Sequence, residues 1–168
     1  MYRSASSLLK LRSNLFHNRL SLSTAADGSA AAKMLLNFCL PHETIYRNAE
    51  VAQVILPGVD GEYGVTVNHI PIVSQLKPGV VQVLFNSGDP EKYFVAGGFA
   101  LTHPNSVTDV SCPEAVKLDD LDGAAIQKNY EAAKAAFSSA EVGSVAKAEA
   151  EIAMETNKAM ATAIGLAI

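Results

Sequence analysis

Three residues suited to acid–base chemistry lie in the first two thirds of the chain: Glu62, His69 and His103. Glu62 and His69 belong to ILPGVDGEYGVTVNHIPIV (residues 55–73), where three glycines recur at every third position. A carboxylate and an imidazole can share a proton if folding brings them within hydrogen-bond distance. The chain has no G-x-S-x-G nucleophile elbow, and a lone histidine after a turn is more often hydrogen-bonded scaffold. We therefore expect no catalytic site. The alternative is a small organellar enzyme that uses Glu62 and His69.

The same glycine-rich stretch is a weak candidate for binding phosphate. GVDGEYG (58–64) lacks the G-K-[ST] ending of a P-loop and is followed by strand-forming residues, whereas a phosphate cradle needs a helix N-terminus behind its amides. Cys39 and Cys112 lie far apart without C-x-x-C spacing, which predicts two buried free thiols. We expect no nucleotide, no metal and no cofactor.

The first 26 residues combine leucines and serines with four basic residues and no acidic residue. The basic residues are Arg3, Lys10, Arg12 and Arg19. This composition is typical of a mitochondrial presequence, and the apolar runs are too short for a secretory signal. We expect residues 1–30 to be removed, with cleavage between about Leu22 and Ala32. A basic arm that is retained and binds nucleic acid is the alternative.

Composition indicates a globular protein, because 49% of the 168 residues of the whole chain are hydrophobic and 18% are charged. Without the first 26 residues, 9 basic residues remain against 17 acidic ones, a net charge of about −8. Nucleic-acid binding is not expected, since neutralising phosphates needs a basic face. No window reaches the roughly 18 apolar residues that cross a bilayer. Any membrane association is therefore expected to be peripheral.

Short strands separated by turns are predicted from Met34 to about Val116. The strand-like segments are 34–40, 49–57, 79–85, 92–102 and 106–112. The separators PGVDGEYG, KPG, NSGDP and HPN contain the Gly, Pro, Asn and Asp residues that favour turns. At least six strands at a spacing of about ten residues favour a β-sandwich or barrel. We assign residues 31–116 to a β-sandwich.

At Leu118 the apolar spacing changes to the three–four pattern of a helix. The predicted stripe is Leu118, Leu121, Ala125, Tyr130, Ala133 and Phe137. Asp119 is predicted to cap this helix, and Gly143 is predicted to end it.

A second helix is predicted from Val145 to Ile164, with Ser144 as its N-cap. Its predicted apolar side consists of Ala148, Ile152, Ala159, Met160, Ala163 and Ile164. Residues 117–168 are therefore predicted to form a C-terminal antiparallel two-helix hairpin. Because 15 of the last 50 residues are alanine, the pair buries few methylene groups, each of which contributes about 0.8 kcal/mol. We expect the hairpin to be marginal alone and to lie against the sandwich or a partner subunit.

One segment, LPGVDGEYGVTVNHIPIVSQLKPGVVQV (56–83), resembles the signature of the ATP synthase central-stalk subunit that is called epsilon in bacteria and chloroplasts and delta in mitochondria. The matching residues are Gly61, Glu62, Gly64, His69, Pro71, Leu76, Lys77, Pro78 and Gly79. KYFVAGG (92–98), EAVKLDDLD (114–122) and IAMETNKAMATAI in the second helix resemble the mitochondrial form in particular. The chloroplast form is a rival that the presequence disfavours.

The resemblance implies a ten-stranded β-sandwich followed by a helical hairpin, in a rotor subunit that holds no catalytic residue. Its implied partners are the gamma subunit, the ring of c subunits and the small mitochondrial epsilon subunit. Its implied location is peripheral, on the matrix side of the mitochondrial inner membrane. There it helps to fix gamma to the c-ring, so that proton-driven rotation powers ATP synthesis. A free-standing β-sandwich ligand-binding module with an internal pocket is the alternative from a different class.

The resemblance also assigns site residues. Gly61, Glu62, Tyr63 and Gly64 match a turn that faces the polar loops of the c-ring, with Glu62 as the charged contact. A solvated turn acid is the alternative for Glu62. His69 and Pro71 are implied to be scaffold or gamma contacts.

The sequence departs from the family pattern at one position of the first helix. Bacterial members that bind ATP resemble [IL]-D-x-x-R-A, and here Leu121 and Asp122 match but Ala125 replaces the arginine. Without that cation, nucleotide-dependent regulation is not expected. The resemblance therefore gives no support to an extended, inhibitory hairpin, and we expect the hairpin to stay folded against the sandwich.

Overall fold

The computed structural model describes residues 33–168, so the expected presequence at 1–30 lies outside the described residues. Ten strands are followed by a short 3-10 helix at Leu118–Asp120 and two α-helices. The strands are β1 (Met34–Cys39), β2 (Thr44–Val51), β3 (Gln53–Gly58), β4 (Gly61–Val65), β5 (Ile72–Leu76), β6 (Gly79–Leu84), β7 (Glu91–Val95), β8 (Gly98–Thr102), β9 (Val107–Ser111) and β10 (Ala115–Lys117). The helices are α1 (Gly123–Ser139) and α2 (Val145–Ala163).

The strands form one sheet in the order β10-β7-β6-β3-β5-β8-β9-β1-β2, with β4 paired to β3. Strands β3 and β5 are joined by the single pair Gly58 and Leu76. The two halves on either side of this junction face each other across one core, where the rings of Phe38 on β1 and Tyr93 on β7 meet edge to face at 5.6 Å. The predicted sandwich followed by two helices is confirmed.

Two of the segments that were each predicted as one strand contain parts of two strands. Segment 49–57 contains the end of β2 and most of β3, and segment 92–102 contains most of β7 and all of β8. At Gly98 φ is +144°, and a Cβ atom there would lie 2.4 Å from the carbonyl oxygen of Ser111. Only glycine fits this close to Ser111. Gly98 lies where the chain crosses from β7 in one half of the sheet to β8 in the other.

The start of the first helix differs from the prediction. Asp119 lies in the 3-10 helix, and the N-cap of α1 is Asp122, whose side chain accepts a hydrogen bond from the Ala124 amide. The short 3-10 turn displaces the helix start because the chain must first leave β10. Ile126, rather than the predicted Ala125, is buried, and Ala133 is buried as predicted.

The second helix begins as predicted, since the Ser144 hydroxyl accepts a hydrogen bond from the Lys147 amide at 3.2 Å. Gly143 lies in the connecting loop with φ +81°, while the C-cap of α1 is Ala140, so the prediction that Gly143 ends the helix was wrong. The loop needs extra residues to reverse direction before α2 starts.

The apolar stripe predicted for α2 is covered along only part of its length. Ala159 and Ala163 line a groove together with Val80 and Gln82 of β6, so this end of the helix faces the sandwich. Ala148 and Ile152 on the same stripe are exposed. The most buried residues of α2 are instead two alanines on another side of the helix, Ala150 and Ala161. Neither α-helix described within 33–168 is long and apolar enough to span a membrane.

Candidate functional site

The glycine-rich stretch folds into a hairpin of β3 and β4 joined by the two residues Val59 and Asp60. The predicted turn at 61–64 is wrong, because these residues form β4 and pair with 55–58 of β3. Gly61 makes the tight return possible with φ +140°, which disfavours other residues. The Val59 amide donates to the Gln75 carbonyl at 3.0 Å and so fixes the loop to β5. We call this hairpin the β3–β4 corner.

Side chains on β4 alternate between the core and the surface. Tyr63 turns inward, where its ring packs against Gly58 and the core. Glu62 is exposed and lies opposite Pro57 on β3, and Gly64 is also exposed. Of the four residues assigned to the c-ring contact, Glu62 is therefore the one that directs a charged group outward.

Glu62 borders a groove of about 500 Å³ between the sandwich and the C-terminal end of α2. Lys77 and Lys92 line the same groove and are exposed. Two salt bridges occur within residues 33–168, and neither involves Glu62. The Glu62 carboxylate is therefore available to a partner at this corner.

His69 and Pro71 lie in the connection between β4 and β5, immediately before β5 rather than on it. The amide of Asn68, whose φ is +60°, donates to the Ser106 hydroxyl at 2.9 Å, which ties the connection to the turn before β9. His69 Nδ1 lies 2.8 Å from the carbonyl oxygen of Ile70. Pro71 is exposed.

The three candidate acid–base residues are not assembled into one site. His69 bonds to its neighbouring carbonyl, whereas His103 Nε2 lies 2.8 Å from Asp109 Oδ2. Within the described residues Glu62 bonds to neither histidine. This geometry does not favour the enzyme alternative.

The outer side of β5 and β8 carries exposed apolar side chains that the sequence analysis did not single out. Val73 pairs with Leu101, and Phe99 lies one step along the same side. Their exposed fractions are 71% for Val73, 59% for Phe99 and 38% for Leu101. Ile70, 70% exposed, precedes this strand pair, in the same connection as His69. We call Val73, Phe99 and Leu101 the apolar face.

A polar row borders the apolar face, since Leu101 pairs with Asp109 of β9 and Asp109 pairs with Asn37 of β1. Asp109 accepts hydrogen bonds from Asn37 at 2.7 Å and from His103 at 2.8 Å. Burial acts to raise the pKa of Asp109, but these two hydrogen bonds outweigh it and hold the pKa below its usual value. An apolar patch with a polar rim is the usual anatomy of a protein–protein interface.

A second polar cluster connects the two halves of the sandwich. Glu91 accepts hydrogen bonds from the hydroxyls of Tyr46 at 2.5 Å and Tyr93 at 2.7 Å. Both bonds lower the pKa of Glu91, whereas burial and the bond to Glu91 raise that of Tyr46. The Lys117 ammonium lies 5.9 Å from the Tyr93 ring centre, at the point where the chain leaves the sandwich for the hairpin. These hydrogen bonds connect β2 of one half to β7 of the other, and this structural role explains the cluster without any catalytic one.

Large side chains fill the space between the two halves. Fully buried examples are Met34, Leu36, Phe38, Leu56 and Val81. This packing does not favour the alternative of a ligand-binding module with an internal pocket. Cys112 is buried there and its thiol pKa is raised to about 11 by burial, whereas Cys39 is only half-buried, so the prediction of two buried thiols was right for one. The two cysteines are free, as predicted.

Comparison with known proteins places this fold in a family. Residues 33–117 match the family described as ATP synthase, Delta/Epsilon chain, beta-sandwich domain. The ATP synthase F(1) complex subunit delta, mitochondrial, of Dictyostelium discoideum is 36% identical over 166 residues, which cover 95% of this chain and 97% of that protein. The ATP synthase subunit delta, mitochondrial, of Yarrowia lipolytica is 41% identical over 81% of this chain and 83% of its own length.

Solved structures agree with the sequence relatives. A chain in the cryo-EM structure of the Euglena gracilis mitochondrial ATP synthase, OSCP/F1/c-ring, superposes with a TM-score of 0.75 at 30% identity, over 82% of this chain and 85% of that chain. A chain in the Tetrahymena thermophila mitochondrial ATP synthase central stalk/c-ring structure shares the fold at 12% identity, with a TM-score of 0.59 over 79% of this chain and 96% of that one. This chain is therefore a member of the ATP synthase delta/epsilon family, related over most of its length to mitochondrial delta subunits.

Proposed function

We propose that this chain is a non-catalytic rotor subunit of the mitochondrial proton-transporting ATP synthase. In this proposal it couples the gamma subunit to the c-ring, so that proton-driven rotation reaches the catalytic sites elsewhere in the complex. Family membership and the likeness to a chain from a complex that contains F1 and a c-ring support this assignment. The subunit works on the matrix side of the inner membrane and is attached to the membrane only through the ring.

The observation that carries the proposal is the apolar face on a rigid sheet. Val73, Phe99 and Leu101 extend from adjacent strands and are exposed, whereas exposed apolar patches on soluble proteins commonly mark interaction sites. We assign this face, with His69 and Pro71 at its edge, to the gamma subunit. Burying this face against a protein surface stabilises the contact by about 25 cal/mol for each Å² of apolar area removed from water.

The β3–β4 corner is the second contact, made with the c-ring. Glu62 lies on a short hairpin that the Val59 amide anchors to β5, so its carboxylate is held by a rigid scaffold. Pairing with a basic loop sets orientation and association rate more than affinity. The small mitochondrial epsilon subunit is a further partner in this proposal.

Two matched charge changes test whether the two contacts are separate. Glu62→Lys reverses a charge at the corner, and Phe99→Asp places a charge in the apolar face. In a reconstituted complex, Glu62→Lys should speed release from the c-ring by about tenfold because like charges then meet, while gamma binding stays unchanged. Phe99→Asp should weaken gamma binding by at least about tenfold, because a carboxylate must lose its hydration at an apolar interface.

Glu43→Lys is the control, since Glu43 is an exposed acid on the loop between β1 and β2. It reverses the same charge and should alter neither contact. Unchanged ring binding by the Glu62→Lys variant would contradict the corner assignment, and unchanged gamma binding by the Phe99→Asp variant would contradict the face assignment.

A further inference from the structure

Two residues other than glycine adopt a left-handed backbone conformation near the apolar face, and they are hydrogen-bonded to each other. Asn68 lies in the connection between β4 and β5 with φ +60°, and Ser106 lies in the turn before β9 with φ +62°. Serine is disfavoured in this conformation and keeps it only where the surrounding structure holds it. Such strain is concentrated at binding sites and switch regions, which makes the pair a candidate for a functional role.

Ser106 connects three segments of the sandwich and is only 6% exposed. Its hydroxyl accepts a hydrogen bond from the Asn68 amide at 2.9 Å. Its carbonyl accepts one from the Leu35 amide of β1 at 3.0 Å, and its own amide donates to the His103 carbonyl at 3.3 Å. The hydroxyl therefore joins the β4–β5 connection to the turn before β9.

The connection that Ser106 holds carries an exposed apolar side chain. Ile70 is 70% exposed and lies two residues after Asn68, just before the strand that contributes Val73 to the apolar face. Within residues 33–168, the amide and the ring of His69 bond only to groups of the same connection. The bond to Ser106 therefore ties this connection, and Ile70 with it, to a different part of the sheet.

We propose that Ser106 is a positioning residue for gamma binding, because its hydroxyl holds Ile70 in a preformed position beside the apolar face, where Ile70 is a further contact. This inference rests on the proposed assignment of that face to gamma and adds the device that keeps the contact surface in place. A segment already ordered in the free subunit loses little conformational freedom on binding, so ordering it costs less binding free energy.

Chain reversal alone does not explain a serine at position 106. Glycine would adopt the left-handed conformation without strain. The side chain that makes this conformation unfavourable also supplies the acceptor for the Asn68 amide. Strain in the turn before β9 is thus coupled to order in the connection that carries Ile70.

A Ser106→Ala variant of the full chain tests the proposal. It removes the hydroxyl and leaves a side chain on the left-handed backbone. In the free subunit, hydrogen exchange measured by NMR should become faster at the Asn68 amide, which loses its acceptor. In reconstitution with gamma, the dissociation constant should rise by about tenfold, because the connection must then be ordered on binding.

Thr108→Val is the matched control. Thr108 is a fully buried residue of β9 whose hydroxyl donates to the Thr102 hydroxyl at 3.4 Å, within the β8–β9 pair. Both variants remove a buried hydroxyl and should lower the melting temperature. Only Ser106→Ala should weaken gamma binding. Equal weakening by both variants would reduce the role of Ser106 to stability and overturn the inference.

A double-mutant cycle with Ile70→Ala tests whether Ser106 acts through Ile70. Ile70→Ala alone should weaken gamma binding by about tenfold, because an exposed apolar contact is lost. Adding Ser106→Ala to this variant should weaken binding by less than about twofold more. Additive losses would overturn the inference.

The same measurements separate this inference from the proposed function. If the wild-type chain binds gamma and the Ser106→Ala variant binds it equally well, or if exchange at the Asn68 amide is unchanged, the inference fails while the proposed function stands. If the wild-type chain does not bind gamma, the proposed function fails and the inference fails with it.

Discussion

The sandwich and the hairpin are held together by different means. The core of the sandwich contains large side chains such as Phe38, Leu36 and Leu56, whereas the buried positions of the hairpin are mainly alanines, with Ile126 the largest. Burying Phe or Leu contributes about 1.5–3 kcal/mol, and alanine contributes far less. We therefore expect the sandwich to be stable by itself and the hairpin to depend on its surroundings. A rigid docking body thus carries an attached element that partners can still stabilise.

The largest expected contrast comes from separating the two regions. A fragment of residues 33–117 should unfold in one cooperative transition, because it contains the whole sheet and its core. A fragment of residues 117–168 should show no cooperative helical melt in dilute buffer, since two alanine-rich helices bury too little apolar area. Circular dichroism against temperature measures both. A cooperative melt of the hairpin fragment would break the comparison.

Matched truncations in each region should differ by several kcal/mol. Phe38 is fully buried and contacts Tyr93, so Phe38→Ala should lower the free energy of unfolding by about 3–5 kcal/mol. Ala133→Gly at a buried site of α1 should cost about 1 kcal/mol, mainly through helix propensity. Urea denaturation of the full chain gives both values. Equal losses of unfolding free energy for the two variants would contradict the expectation that buried side chains contribute more in the sandwich than in the hairpin.

A smaller effect should appear as a pH dependence confined to the sandwich. The hydrogen bonds from Tyr46 and Tyr93 lower the pKa of Glu91 in the folded state from its usual value of 4.5. A lowered folded pKa contributes stability above the unfolded pKa, and this contribution is lost as the pH falls through the folded pKa. Glu91→Gln should therefore destabilise the chain by roughly 1 kcal/mol at pH 7.

The difference between wild type and the Glu91→Gln variant should shrink as the pH is lowered below 4.5. Urea titrations at pH 7 and at successively lower pH measure it, and comparing the two proteins removes the contribution of acids that titrate in both. A difference that stays constant with pH would rule out the charge of Glu91 as its source.

The sequence predicted those features of the fold that depend on local chemistry. Strand β1, the cap at Ser144 and the change of periodicity after the sheet are local patterns and were confirmed. The β3–β4 corner was predicted as a turn because two glycines in GEYG disfavour a strand. Pairing with β3 outweighs that preference, so these residues alternate as a strand does.

Surface features that depend on distant pairing were not predictable from local pattern. The apolar face exists because β5 and β8, far apart in sequence, place Val73 and Leu101 opposite each other. The apolar side predicted for α2 was wrong for Ala148 and Ile152, which are exposed, while the buried residues of this helix are Ala150 and Ala161. Glu62 was singled out through a family resemblance, and its assignment to the c-ring stays a prediction.

The most direct test of the account is the recovery of the native chain from mitochondria. The chain carries a C-terminal affinity tag, is purified under gentle conditions, and co-purified proteins are counted by quantitative mass spectrometry. The account predicts equal amounts of this chain and the gamma subunit, together with c subunits and the catalytic ATPase subunits. Recovery of the chain alone, or with proteins other than these, would contradict it.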